Sequence, residues 1–264
     1  MIGVFAGDVA GSTYRGMRHS AGIQIPLVRD GACLGIASRI ATGAVDGYFA
    51  DMKDSSRFIH AWATPVSGGS IPDFQGEGDI FQAATNLAAI IAATFSTLCR
   101  READAKIRTA STCEALFPEE VAEAATALAG HLHRLKLSKD PARILADLSD
   151  TLIWALPMDL DVVACDATPS RRWEDTVPLA TYIGLISNSV ESAVRLAIWT
   201  SGDPSAAAAI AAQVASLHLG TESLPSDLRR AALACFDGLG DEGVDMRRRL
   251  IAADILDLEG CPLG

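Results

Sequence analysis

Three aspartates and two arginines are the side chains with which this chain could do chemistry: Asp8, Asp30, Asp203, Arg15 and Arg29. A carboxylate can serve as a general acid or base, and a guanidinium binds carboxylate or phosphate through fixed, paired hydrogen bonds. Arg29 directly precedes Asp30, and Arg15 follows Asp8 by one short segment. We therefore predict catalytic roles for the aspartates and anion binding by the arginines.

A second group of candidates lies in the longest irregular stretch, from Thr64 to Gly78, which is rich in Gly, Pro and Ser. Loops of that length often carry function. At its end, Gly76-Glu77-Gly78-Asp79 offers exposed backbone N–H groups to a ligand, although its two acidic side chains oppose a strongly negative one. We predict ligand contacts from Gly76, Glu77, Gly78 and Asp79, and also from Gly202 and Ser205 beside the last aspartate.

The elements that position these residues are predicted to be helices. Val121, Ala125, Leu128, Leu132 and Leu135 recur at the spacing of one helix face, and alternating strand patterns are scarce. A second stripe, Ile144, Leu148, Leu152 and Leu156, repeats every four residues. Further helices are predicted over 2–12, 31–44, 79–98, 176–187, 190–200, 206–219, 226–237 and 245–257. The fold class is therefore all-α, a compact orthogonal bundle.

Helix boundaries have local chemical causes. Asp140-Pro141 and Asp203-Pro204 combine an N-cap with a proline at the first helical position, and Gly220 ends a helix. The run Ala207–Ala212 is small enough to let its helix approach neighbours closely. For Asp203 the cap is the stronger interpretation, whereas Asp8 is balanced between a cap and a ligand contact, and Asp30 could also be an N-cap.

Composition narrows the class of protein. The chain has 264 residues, 49% of them apolar, and no linker divides it, so we expect one domain over residues 1–264. Its formal charge of −11 opposes binding to nucleic acid or to anionic lipid. No transmembrane helix or signal peptide is expected, and the six scattered cysteines suit a reducing, cytoplasmic location.

Two histidines are excluded as a metal site. His131 and His133 lie two positions apart on a predicted helix, so they point to different faces. We expect them at the surface or at its boundary.

Two glycine-containing motifs of this chain are Gly7-Asp8-Val9-Ala10-Gly11-Ser12-Thr13-Tyr14 and Gly76–Gln82. The first resembles the opening G-D-x-x-G-S-x-Y-E of the ADP-ribosylglycohydrolases, in particular bacterial hydrolases of ADP-ribosylated dinitrogen reductase, and the second resembles the G-N-G-S-A-M-R loop of that family. The C-terminal third follows the family in order and spacing through Val177–Tyr182, Ser189–Ile198, Gly202-Asp203, Gly220 and Glu222–Pro225. The resemblance implies an all-α fold over nearly the whole chain.

The resemblance also implies a site for two magnesium ions, held by a T-D-D-T and a D-x-D-T motif at two helix starts. The first motif falls on Val28-Arg29-Asp30-Gly31 and the second on Asp203-Pro204-Ser205-Ala206, so each keeps one aspartate. The acidic residue that ends the opening motif falls on Arg15. Replacing a carboxylate by arginine changes the local charge by about two units, which disfavours a divalent cation. We therefore expect no metal cofactor, with Arg15 or Arg29 paired to Asp8, Asp30 or Asp203.

Two classes of function remain open. The first is a catalytically inactive relative, a pseudoenzyme, that binds a nucleotide, an ADP-ribose-like or small anionic ligand, or an ADP-ribosylated protein in its central cleft. The second is an enzyme that re-uses the site for metal-independent hydrolase or lyase chemistry on a carboxylate- or phosphate-bearing substrate. We favour the first, because a fold alone does not carry function.

Overall fold

The structure is a computed structural model, and it describes residues 2–14, 26–27, 34–63, 85–164, 170–237 and 241–258. Within these ranges every regular element is helical and no strand occurs, which confirms the all-α prediction. The α-helices are α1 Ile2–Ser12, α2 Ile36–Phe49, α3 Ser56–Ala63, α4 Leu87–Leu98, α5 Glu102–Glu114, α6 Glu119–Ser138, α7 Pro141–Leu152, α8 Leu160–Ala164, α9 Trp173–Ile186, α10 Val190–Thr200, α11 Pro204–Leu219, α12 Ser226–Asp237 and α13 Asp241–Leu258. A 3₁₀ turn, Thr221–Ser223, follows α11. No helix in the described ranges is long and apolar enough to cross a membrane.

The central contact of the bundle joins α1 and α11, which are packed antiparallel with almost no space between their backbones. The glycines of α1 recur every four residues, and a β-carbon at Gly7 or at Gly11 would lie 2.2 Å from a carbonyl oxygen of α11. Along the pair, Gly3, Gly7 and Gly11 face Ala212, Ala208 and Pro204 respectively. The close approach predicted for the alanine-rich helix is confirmed, and glycines on its partner make it possible.

The predicted helix boundaries at aspartate–proline pairs are confirmed. Asp140 Oδ1 accepts a hydrogen bond of 3.1 Å from the backbone N–H of Arg143 at the start of α7. Asp203 caps α11 in the same way, with proline again at the first helical position. Gly220 ends α11 with a φ of 91°, a conformation that favours glycine.

Other boundaries differ from the prediction. The helix predicted over residues 31–44 is α2, and it begins at Ile36 because the backbone of Gly35 is extended. It ends at Phe49, five residues later than predicted. The helix α5 had no predicted counterpart, because its buried face consists of small and polar residues and not of a large apolar stripe. Those buried residues are Ala105, Thr109, Thr112 and Cys113.

Candidate functional site

Asp8 lies in the middle of α1, where its side chain is completely buried. It does not cap its own helix, contrary to the cap interpretation considered from the sequence. The backbone N–H of Ser38 donates a hydrogen bond of 2.9 Å to Asp8 Oδ2, and Ser38 belongs to the first turn of α2. Asp8 therefore satisfies a free N–H at the start of a different helix, which a sequence pattern within one helix cannot reveal.

The second oxygen of Asp8 is bound by the predicted site residue Ser205. The Ser205 hydroxyl, buried in the first turn of α11, donates a hydrogen bond to Asp8 Oδ1. The carboxylate thus lies between the starts of α2 and α11, where the positive ends of two helix dipoles favour a negative charge.

The ionisation of Asp8 is governed by opposing causes. Burial raises the pKa of its carboxyl group above the ordinary value of 3.8, because the charged form is removed from water. The hydrogen bonds from Ser205 and Ser38 and the neighbouring backbone of Gly35 lower that pKa, but burial is the larger effect. A carboxyl group with a raised pKa retains its proton to a higher pH than an exposed aspartate.

Gly35 makes room for this carboxylate. A β-carbon at Gly35 would lie 2.5 Å from Asp8 Oδ1, well inside the distance that real contacts reach. The site thus needs a glycine immediately before α2 for a steric reason, although the φ of Gly35, −82°, is accessible to any residue. No local sequence signal would have assigned this role.

The residues that flank the first short segment, and the second segment itself, lie next to α1. Leu27 and Leu34, which flank residues 28–33, are buried, and the Tyr14 hydroxyl donates a hydrogen bond to the carbonyl oxygen of Pro26. The second segment reaches α1 through Ser205. The structure therefore brings the flanks of the first segment and the second segment itself to the same end of α1.

Asp203 is used as a helix cap. Its Oδ1 accepts a hydrogen bond of 3.3 Å from the backbone N–H of Ala206, and its own N–H donates one of 3.0 Å to Ser201 Oγ. The side chain is nearly buried, at 9% exposure. This geometry supports the structural interpretation that the aspartate–proline pair favoured.

Sequence analysis missed Arg171 and Asn86. Arg171 contacts the second segment directly, and Asn86 contacts Arg171. Arg171 Nε donates a hydrogen bond of 3.0 Å to the carbonyl oxygen of the predicted residue Gly202. Asn86 Nδ2 donates one of 2.9 Å to the carbonyl oxygen of Arg171, while Asn86 Oδ1 is buried and has no hydrogen-bond partner among the described residues. The adjacent basic residues Arg171 and Arg172, in so acidic a chain, were the signal available in the sequence.

Seven predicted site residues lie outside the described residues: Arg15, Arg29, Asp30, Gly76, Glu77, Gly78 and Asp79. Pairing of Arg15 or Arg29 with an aspartate therefore stays a prediction. Within the described ranges, Asp8 and Asp203 form no ion pair with a lysine or arginine, and serine and backbone N–H groups are their partners.

The oxygen atoms that the described site residues offer do not fit as ligands for a pair of magnesium ions. Mg²⁺ requires several free oxygen ligands in octahedral geometry. Both oxygens of Asp8 accept hydrogen bonds from protein donors, and the Ser205 hydroxyl is engaged with one of them. No group of three or more His, Cys, Asp or Glu that could hold a metal occurs in the part of the chain that the structure describes.

The two histidines are buried, so the expectation of a surface position was wrong. His131 and His133 are each 2% exposed, and burial lowers the pKa of both. His131 contacts Thr151 and Arg134 through its two ring nitrogens, and His133 Nδ1 lies 3.2 Å from the carbonyl oxygen of Ser96. Burial is tolerated because these contacts satisfy the rings, which do point to different neighbours, α7 and α4.

A surface pocket of about 540 Å³ lies between α5 and α6. Its walls are formed by the side chains of Phe117, Lys106 and three glutamates, Glu114, Glu119 and Glu123, together with small residues. None of the predicted site residues lines it.

No protein-family model matches the chain, and no curated protein gives a match. The resemblance to the ADP-ribosylglycohydrolases therefore rests on the motifs quoted from the sequence, and it stays a prediction.

Proposed function

We propose that the protein is a degenerate relative of the ADP-ribosylglycohydrolases that binds a nucleotide, an ADP-ribose-like or another small anionic ligand beside α1, without magnesium and without hydrolysing it. The proposal combines the motif resemblance with the geometry around Asp8. It assigns Asp8, Ser205 and Asp203 to the support of the site and places ligand recognition on neighbouring cationic side chains.

The hydrogen bond between Ser205 and Asp8 is the observation that carries the proposal. The resemblance assigns an aspartate to position 205, and two carboxylates this close would repel each other unless a cation lay between them. A serine hydroxyl donates a hydrogen bond to the carboxylate, so the same contact becomes favourable without any ion. The substitution that removes a ligand therefore also removes the need for the metal.

Recognition of an anion is assigned to Arg171, with Arg15 and Arg29 as further candidates from the sequence. The Arg171 guanidinium is exposed, and Nε is fixed on the Gly202 carbonyl oxygen. Its terminal nitrogens make no hydrogen bond within the described residues, so they remain able to bind phosphate or carboxylate in the paired manner of a guanidinium.

Thermal unfolding with added ligands tests the proposal. A ligand at 100 times its dissociation constant adds about 2.7 kcal/mol of stability, equivalent to a rise in Tm of about 5 °C or more for a chain of this size. We expect ADP-ribose, AMP or inorganic phosphate to raise the Tm of the wild type in EDTA, and Arg171→Ala to weaken that effect. Arg143→Ala, an exposed arginine on α7, serves as the matched control.

Two results would overturn the proposal. Absence of any shift with the whole ligand series would remove the binding function. Release of ADP-ribose from an ADP-ribosylated arginine or serine substrate, lost in Asp30→Asn, would show that the protein is an active hydrolase.

The raised pKa of Asp8 favours the second candidate, a metal-independent enzyme, since a protonated carboxyl group can act as a general acid. Against it, both Asp8 oxygens already accept hydrogen bonds and the side chain is completely buried. Turnover of a carboxylate- or phosphate-bearing substrate in EDTA, with a pH–rate profile that Asp8→Asn alters, would establish this alternative.

A further inference from the structure

An apolar strip, residues 153–163, lies on the surface between α7 and α9. In its extended part, alternate residues pack against the core and the residues between them are exposed. The half-buried apolar members are Trp154, Leu156, Met158, Leu160 and Val163. Ile153 and Val162 are 89% and 68% exposed, the first of these being the most exposed large apolar residue among those described. The strongly exposed apolar side chains of the strip are therefore Ile153 and Val162, and its tryptophan and methionine are only partly accessible at the surface.

Folding alone does not account for the residue at the start of this strip. Ile153 has a φ of 54°, in the left-handed region that glycine and asparagine adopt readily and that β-branched residues avoid. Its side chain gains little from burial, because most of it faces solvent. A sequence that breaks a local rule without a compensating contact is often serving a function at that position.

The exposed charged residues within the strip and in the last turn of α7 before it are acidic. Asp150, Asp159 and Asp161 are exposed, and none of them pairs with a lysine or arginine within the described residues. The sequence has no lysine or arginine between Ile144 and Ala164. Asp150 also lies in the last turn of α7, where a negative charge is opposed by the helix dipole.

An apolar centre with an acidic margin fits a partner that has the opposite charge. Interface centres are enriched in tryptophan, methionine and other large apolar side chains, and charge complementarity guides the choice of partner. A second copy of this chain would bring an equally acidic margin and a formal charge of −11 to the contact. An anionic membrane would be repelled for the same reason.

We propose that the apolar strip is a docking surface for a cationic amphipathic segment of another protein. The aliphatic and aromatic side chains of the strip bind the apolar face of that segment. The aspartates at its margin attract the lysine and arginine side chains of the segment.

Fluorescence anisotropy with a labelled amphipathic helical peptide of leucine and lysine tests this proposal, with a leucine–glutamate peptide as its counterpart. The double variant Ile153→Asn with Val162→Asn removes apolar surface without changing charge. Ile107→Asn, at a residue of α5 that is 50% exposed, is the matched control. We expect the double variant to weaken peptide binding about tenfold or more and the control to change it less than about twofold.

The charge contribution is tested separately with Asp150→Asn combined with Asp161→Asn. We expect this variant to bind the lysine peptide several-fold more weakly and with a smaller dependence on salt. Circular dichroism melts verify that each variant is folded, and Ile153→Asn alone preserves the test if the double variant unfolds.

Four results would overturn the proposal. Two of them are the absence of saturable binding of the lysine peptide and a control variant that weakens binding as much as the double variant does. Equal binding of the leucine–glutamate peptide would exclude a cationic partner. Sedimentation of the protein alone as a dimer that dissociates in Ile153→Asn would instead identify a second copy as the occupant.

Discussion

Replacing Ser205 by alanine removes the hydroxyl donor from a completely buried carboxylate without adding volume. A hydrogen bond to a charged group contributes about 1.5–3 kcal/mol, and Asp8 Oδ1 would lose the donor that the structure gives it. We therefore expect Ser205→Ala to lower the free energy of unfolding by about 2 kcal/mol at neutral pH, which corresponds to a decrease in Tm of about 4–8 °C.

The pH dependence of this loss distinguishes it from a simple packing defect. The Ser205 hydrogen bond lowers the pKa of Asp8, so it stabilises the ionised form more than the neutral form. Removal of this bond raises the pKa of Asp8 in the folded protein further. A carboxyl group whose pKa is raised by folding stabilises the folded protein at low pH, and this stabilisation is lost as pH rises through the folded-state pKa. Ser205→Ala should therefore be more destabilising at a pH well above 3.8, the ordinary pKa of aspartate, than at a pH below it.

Urea unfolding at several pH values measures the effect. Ser216→Ala is the matched control, because Ser216 is a buried serine of the same helix whose hydroxyl donates 2.7 Å to the Ala212 carbonyl oxygen within α11. Its loss should cost less than about 1 kcal/mol, since bonds of this kind contribute little to a helix. Equal stability of Ser205→Ala and the wild type at every pH would refute the role given to the Ser205–Asp8 contact.

Three further predictions concern other parts of the molecule. In Asp8→Asn the amide oxygen can accept from the Ser38 N–H, and the amide N–H can donate to the Ser205 hydroxyl, which reverses the direction of that bond. The variant has no ionisable group at position 8, so it should not show the loss of stability that the wild type shows as pH rises above 3.8, the ordinary pKa of aspartate. A wild-type-minus-variant difference that does not vary with pH would contradict this. Gly7→Ala should lower the free energy of unfolding by about 3 kcal/mol or prevent folding, because its β-carbon would meet the Ala208 carbonyl oxygen. Gly130→Ala is the control, because its β-carbon would meet only flexible side-chain atoms of Glu102 and Lys106. Urea unfolding should show this control to be neutral or stabilising. Ile153→Asn should raise the free energy of unfolding by about 1 kcal/mol, because asparagine tolerates a φ of 54° better than isoleucine; a lower Tm would contradict that explanation.

Features that arise within one helix could be predicted from the sequence. The caps at Asp140 and Asp203 and the stop at Gly220 each depend on residues that lie within one turn of each other, so short patterns contain the necessary information. The small side chains of Ala207–Ala212 likewise predicted a close helix contact. Their partner could not be deduced from that run alone.

Features that arise between distant elements could not be predicted in this way. Asp8 is bound by Ser38 and Ser205, from two other helices, and neither contact has a local signature. The two histidines were expected near the surface because the sequence shows that their side chains are polar. It does not show the hydrogen-bond partners that allow these side chains to be buried. Among these, His131 depends on Thr151 from the next helix.

We infer that the site beside α1 is stable without magnesium because the Ser205 hydroxyl donates a hydrogen bond to Asp8. The most direct measurement is the Tm of the wild type in EDTA and in about 10 mM magnesium, since an ion that binds the folded state raises its Tm. We expect the same Tm, within about 1 °C, in both conditions. A saturable rise in Tm with magnesium would contradict it.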